Sequence, residues 1–379
     1  VAATIDNPFP GDNGLRPSTN DPNQIIDGVA GQALGSIYRW QKEPAYDDSF
    51  NFSVQRELPA RTVVEVSYAG NRGHRLNTTS VRVLNYLPAQ YLSQGTLLRK
   101  TIPNPFVGSN LPITPGTPTD ALQRAPTIEY QKLLATYPHA VTINMNHFNV
   151  ADSWYNALYV RMEKRMSHGL SFQGAYTLSK LVTDIAGQPQ DGATVRDIRA
   201  LSGEDAPHKF VMSWLYEFPV GKGRAFLSNT STVSGKVLNG IVGGWRLAGI
   251  YEYLSGDPLQ LKQSSVTTGI GLNQRPMVTG AYRKVDNVYK AVGLAGQTAT
   301  LYVNKDAFAV TPAYAIGTAP FYFPNLRGPS RQLWDLSLMK VFRLTEKANL
   351  QLRIEAENAF NQVMFANPDM NIQSAAFGT

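Results

Sequence analysis

Residues 349–360, "NLQLRIEAENAF", decide how the chain is to be read. Leu350, Leu352, Ile354 and Ala356 alternate with Gln351, Arg353, Glu355 and Glu357, and side chains along a strand point alternately to opposite faces. One face is therefore apolar and the other polar and charged. A strand at the surface of a soluble sandwich shows a similar pattern, so the question is what the apolar face touches.

Working outward from that stretch, period-2 segments recur at 48–58, 62–70, 153–164, 170–180, 208–218, 244–255, 332–342 and 349–358. Each is about the 9 to 11 residues that a tilted strand needs to cross a bilayer. In "LSFQGAYTLS", Leu170, Phe172, Tyr176 and Leu178 share a face with Gly174. In "WYNALYVRMEK", Leu158, Val160 and Met162 oppose Tyr155, Tyr159, Arg161 and Glu163. In "KFVMSWLYEF", Phe210, Met212, Trp214, Tyr216 and Phe218 oppose Lys209, Ser213 and Glu217, with Val211 and Leu215 assigned to neither face. Convincing amphipathic helices are absent.

The connections carry more information than the strands. Short turns at 59–61, 165–169 and 343–348 follow odd-numbered strands, and long stretches at 71–152, 181–207 and 256–331 follow even-numbered ones. The 219–243 connection is the exception, longer than a simple turn. Structureless loops beyond about 15 residues are uncommon inside compact soluble domains. Short turns at one end and long loops at the other describe an outer-membrane barrel. The fold expected is all-β: an antiparallel up-and-down transmembrane β-barrel, about eight strands of a larger one, with long extracellular loops. Residues 1–47 would form an N-terminal extracellular segment, 48–358 the strands with their loops, and 359–379 the start of a last extracellular loop whose closing strand is missing. The apolar face then touches outer-membrane lipid.

Composition narrows the alternatives. With 379 residues, 43% hydrophobic and 17% charged, the chain can bury a substantial core. It has no Cys, which removes disulfides and thiolate chemistry, and its five His are widely spread, so neither a metal nor another cofactor is expected. The net charge is +7, yet Lys and Arg are scattered among turns and strand faces, and nucleic acid is not expected as a partner. No apolar run reaches the roughly 18 residues of a transmembrane helix. The opening on Val1 without a signal peptide reads as a processed product or a segment of something longer.

Candidate sites follow from the barrel reading, each beside a plainer one. Arg161, Glu163, Arg353, Glu355 and Glu357 are expected to face the lumen. Trp154, Tyr176, Trp214, Trp245, Tyr253 and Trp334, near strand ends or upper thirds, suit an interfacial aromatic girdle, although each could equally be a core aromatic. Arg327 and Arg331, just ahead of a strand, could bind anionic groups at the outer rim, or Arg331 and Asp335 could simply organise the loop-to-strand junction. The loop aromatics Tyr314, Phe321, Tyr322 and Phe323 offer a ligand-stacking surface or the packing of the loop upon itself. Asp6, Asp12, Asp21 and Asp27 match no Ca²⁺-loop spacing and read as a polar surface loop. No nucleophile elbow, phosphate loop or zinc-protease motif is present, and the chain is not expected to be an enzyme.

Several segments also resemble a known family. "FNFSVQRELPARTVVEVSYAGNRGHRL", "YNALYVRMEKRMSHGLSFQGAYTLSK", "HKFVMSWLYEFPVGKGRAF", "VGGWRLAGIYEYLSGDPL" and "NLRGPSRQLWDLSLMKVFRLTEKANLQLRIEAENAFNQVMFANP" are similar to the C-terminal barrel of TonB-dependent outer-membrane transporters, in the subgroup with a carboxypeptidase-regulatory-like domain. The resemblance implies a 22-stranded barrel with an N-terminal plug. Substrate binds to loops and plug, and the TonB complex drives import through a box near the N-terminus. The sequence departs from that pattern in containing no plug, TonB box or regulatory domain, and in stopping before the expected closing strand. Eight strands close only into a barrel packed with side chains, so a fragment of a larger transporter is the expectation. A surface adhesive β-protein and a soluble carbohydrate-binding β-protein are the alternatives, and the substrate is open.

Overall fold

The computed structural model describes residues 33–38, 44–77, 82–107, 122, 124–138, 142–146, 149–184, 190, 199–228, 231–264, 274–291, 298–343 and 347–379. The Asp6, Asp12, Asp21 and Asp27 segment lies outside them. Eight strands form one antiparallel sheet: β1 (Tyr46–Leu58), β2 (Thr62–Asn77), β3 (Asn149–Ser167), β4 (Leu170–Thr183), β5 (His208–Glu217), β6 (Trp245–Leu254), β7 (Arg331–Arg343) and β8 (Asn349–Ala356). Each pairs with its neighbours in the sequence, and only Ala200–Leu201 adds a short pairing to β4. All eight segments with strand periodicity are strands. β3, at 19 residues, is well beyond what a bilayer crossing needs, so the β2–β3–β4 hairpins project past the sheet at the long-loop end.

The sheet is open. Among the described residues β1 and β8 are paired on one side only, and both are exposed along their whole length. The expected barrel is thus present as an unclosed wall.

Register settles which side chains share a face, since directly opposite residues in an antiparallel ladder point the same way. Phe52 faces Tyr68, Tyr68 faces Leu158 and Leu158 faces Leu178. Further along, Phe210 faces Tyr176 and Tyr253, Leu247 faces Leu338, and Leu338 faces Ile354. One apolar face therefore runs unbroken across eight strands. Two glycines accommodate its largest rings. A Cβ at Gly70 would sit 2.2 Å from the Phe50 ring, and one at Gly249 2.2 Å from the Trp214 indole, so each aromatic side chain lies flat on bare backbone. Val211 and Leu215 fall on the opposite, polar face, opposite Ala175 and Ser171.

The long connections are not loose. Leu259, Leu261, Val303, Phe308, Phe323, Leu326, Met370, Ile372 and Phe377 form a buried cluster, drawn from 255–330 and the C-terminal segment. Residues 357–379 leave the top of β8 and fold back: Lys262 donates its N–H to Met370 at 2.9 Å and receives one from Ile372 at 2.9 Å. A second cluster of Leu87, Leu92 and Leu98, from the β2–β3 connection, packs against Tyr314 of the β6–β7 connection. Buried Gln190, from the β4–β5 connection, accepts from the amides of Arg275 and Gly317 at 2.8 and 3.0 Å and donates to the Gly317 carbonyl at 2.8 Å. Three connections and the C-terminal segment thus make one cap with its own core.

The sheet's other end carries a correction. The 219–243 stretch holds a helix, α1 (Val233–Val242), where no amphipathic helix is expected from sequence. Gly235 and Gly240 interrupt its apolar periodicity, which hides it among turn formers. Among the described residues no helix is long and apolar enough to cross a membrane, which says nothing about strands.

Candidate functional site

The polar face of the wall is the first half of the site. Arg161 and Glu163, two apart on β3, reach each other at 3.6 Å, and Arg353 and Glu355 pair in the same way on β8 at 2.5 Å. The Arg353 Nε also donates to Ser337 Oγ at 3.3 Å. Glu357 lies just past the end of β8 and lines the same open concavity as Asp335, Ser337, Arg353 and Glu355, a space of about 560 Å³ over β5 to β8. Thus all five residues expected in the lumen lie on this face or at its end, although Arg161 and Glu163, on β3, are two strands away from the near edge of the concavity.

Register, rather than local spacing, brings in residues that the sequence motifs leave out. Glu217 stands directly opposite Arg246 and is bracketed by it at 3.0 Å and by Arg224 at 2.7 Å. By local spacing instead, the Tyr155 and Tyr159 hydroxyls, four residues apart on β3, meet at 3.0 Å. Nothing in the order of residues 217 and 246 announces that pair; it follows only from the β5–β6 pairing. These groups offer paired charges and hydroxyls to a hydrated occupant. No nucleophile with a base is among them.

The apolar face holds the six aromatics expected at the interface. Trp154, Tyr253 and Trp334 lie toward the long-loop end of their strands and Trp245 at the opposite end. Tyr176 and Trp214 sit further down, in the strand middles, yet the Tyr176 hydroxyl reaches His208 Nδ1 at 2.8 Å, back at the long-loop boundary. Arg199 covers Trp154 at 4.0 Å, and Trp334 packs against Tyr251 at 4.2 Å and edge-on to Trp214 at 6.0 Å. At the boundary Tyr68 and Arg72 both donate to Asn156, at 2.9 and 2.8 Å. Polar groups therefore flank the band where the rings end.

The chain matches the family model of the outer membrane beta barrel domain over residues 1–379. It belongs to that family. The wall stands in the bacterial outer membrane, where barrels in general turn an apolar band outward. Among solved structures it is similar to the outer membrane transporter YddB from Escherichia coli, with a TM-score of 0.36 and 11% identity over 88% of this chain. The chain spans 31% of the length of that structure. No curated protein matches it.

The cap of this barrel wall is the second half of the site, and it places the candidate residues of the long connections. Phe323 is fully buried in the cap core, edge-on to Phe308 and Tyr282, so it packs the cap and cannot stack on a ligand. Tyr314 packs on the second cluster. Arg327 does not project from the rim: its guanidinium pairs with buried Asp205 and donates to the Asp205 carbonyl at 2.7 Å, tying the β4–β5 connection to the start of β7. Arg331 stands 3.5 Å from Asp257 and Asp335 accepts the Asn358 amide at 2.8 Å, so both organise the junction, with different partners. Phe321 and Tyr322 remain partly exposed, edge to face at 5.1 Å, and burial raises the Tyr322 phenol above the ordinary tyrosine range.

Proposed function

We propose that this chain is part of the wall and cap of a TonB-dependent outer-membrane importer. Its substrate would be captured at the long-loop end, outside the cell, and passed along a plug held against the polar face. One observation carries the reading: an eight-stranded sheet, apolar on one face, polar on the other and, among the described residues, unpaired at both edges. In hydrocarbon an unpaired edge leaves backbone groups without partners at a cost of several kcal/mol each, so further strands must cover β1 and β8. A barrel wider than eight strands has room for a hydrated lumen. The charged pairs Arg161–Glu163 and Arg353–Glu355 would there meet a plug, and Phe321 and Tyr322 would line the approach from outside. The protein does no covalent chemistry in this reading; energy would arrive through the TonB complex.

The test uses the full-length gene product. It should bind the C-terminal domain of TonB when purified, and cells making it should take up one member of a panel of iron chelates, cobalamin-like molecules, oligosaccharides and peptides only when TonB is active. Failure on both counts, with surface adhesion intact, would leave the adhesive β-protein in its place.

A further inference from the structure

α1 is built inside out for a protein that faces water. Thr232 opens it, its Oγ1 accepting from the Gly235 amide at 3.1 Å. At 100° per residue Val233, Val237, Leu238 and Ile241 fall on one arc and Gly235 and Asn239 on another. A surface helix of a soluble protein turns its apolar arc to the core. Here Asn239 turns inward, its Oδ1 accepting from the Lys222 amide at 2.8 Å. Val233, Val237 and Ile241 are 78%, 59% and 63% exposed, and no residue of the helix is buried.

The latch of this helix tells where that arc points. Trp245 and Lys340 face each other in register on the lipid face, at its short-turn end. Both donate to the Ile241 carbonyl, from the indole at 2.9 Å and from the ammonium at 2.8 Å. Lys340 is buried beneath them, its ammonium 5.2 Å from the Trp245 ring and 5.0 Å from that of Phe342. The last turn of α1 is therefore fixed to the lower margin of the lipid-facing band, and its apolar arc continues that band.

We propose that α1 is a membrane-surface anchor, lying in the leaflet at the short-turn end with Val233, Val237, Leu238 and Ile241 at the boundary of headgroups and acyl chains. Helices of this kind sink about 5–10 Å into that boundary. Exposed Lys236 is then at the level of the lipid phosphates. Continuity with the lipid face favours lipid over a protein partner, because the same side chains that hold the helix belong to the wall's membrane surface.

Residues 1–379 contain no cysteine, and with any cysteine elsewhere in the full-length product replaced by serine, single cysteines report without background. In the full-length product, reconstituted into vesicles of phosphatidylethanolamine and phosphatidylglycerol, Val237→Cys and Lys236→Cys each carry an environment-sensitive fluorophore. The probe at 237 should shift to the blue and lose most of its emission to lipids bearing an acyl-chain nitroxide, while the probe at 236 stays open to aqueous iodide. Quenching of the 237 probe by iodide alone overturns the proposal. So does shielding from both quenchers, which means that protein covers the helix. Adding Ile241→Asp, which leaves the backbone carbonyl for Trp245 and Lys340, should return the 237 probe to water without changing the heat-modifiable mobility of the folded barrel.

Discussion

The wall and the cap use the same side chains under opposite rules. Phe52 on β1 is 69% exposed, while Phe323 in the cap is 0% exposed. Both obey one preference, the removal of apolar area from water, and differ only in what removes it. In the cap the chain supplies its own apolar surroundings from four separate stretches, and each buried phenylalanine contributes about 1.5–3 kcal/mol. In the wall, which stands in the outer membrane, the chain supplies no such enclosure among the described residues, and the strands hydrogen-bond to each other. Among the described residues the buried clusters therefore lie where a topological reading places loops, and neither is drawn from the sheet, the most regular part.

The sharpest way to break that comparison is Phe323→Ala. A cavity at a fully enclosed phenylalanine costs about 3–5 kcal/mol, and the loss should stay in the cap. Hydrogen exchange of the full-length protein in lipid should then rise across 255–330 and 357–379 while β1 to β8 keep their protection. Equal loss in the wall would show that the two regions share one cooperative unit and that the division drawn here is wrong.

Which parts of this division can be read from the sequence depends on period. The wall strands alternate, so Leu350, Leu352 and Ile354 announce their face without any tertiary knowledge. Val211 and Leu215 do not, because apolar residues on both parities blur the pattern and only the pairing with β4 assigns them. The cap residues have no common period: Leu259 and Phe377 come from irregular backbone, Phe308 from a two-residue strand, and they meet through long-range contacts. Phe323 and Arg327 thus resemble surface binding groups in sequence, when one is core and the other is the partner of Asp205. Glu217 is missed for a related reason, since its partners Arg246 and Arg224 are defined by register and a turn.

Within the wall, the next effect separates its two faces. Leu338→Arg puts a charge on the lipid face near the middle of β7 and should cost about 2–4 kcal/mol, whereas Ser337→Arg, one residue away on the polar face, should cost little. Urea titration of folding into vesicles measures both. Similar costs would mean that both faces meet the same solvent, and the assignment of lipid to one of them would fail.

The polar face itself should prove weak as a source of stability. Arg353 and Glu355 are both more than half exposed, so a double-mutant cycle on the pair should return at most about 1 kcal/mol despite their 2.5 Å contact. A larger coupling would mean that water is excluded from the concavity and that something fills it in the full-length protein.

The smallest effect is alkaline and belongs to the cap. Burial holds the Tyr322 phenol above the ordinary tyrosine range, and a Cβ at Gly203 would stand 2.7 Å from its hydroxyl, so the group is pressed onto bare backbone. Because the folded pKa exceeds the unfolded one, the stabilisation is whole below about pH 10, the ordinary tyrosine value, and is lost as pH climbs through the folded pKa. Exchange in the cap should therefore quicken above that point while the wall holds, and Tyr322→Phe should remove this part of the pH dependence. If the substitution leaves the alkaline rise unchanged, the titrating group lies elsewhere, and Tyr322 belongs with Phe321 to the open surface of the cap rather than to its packing.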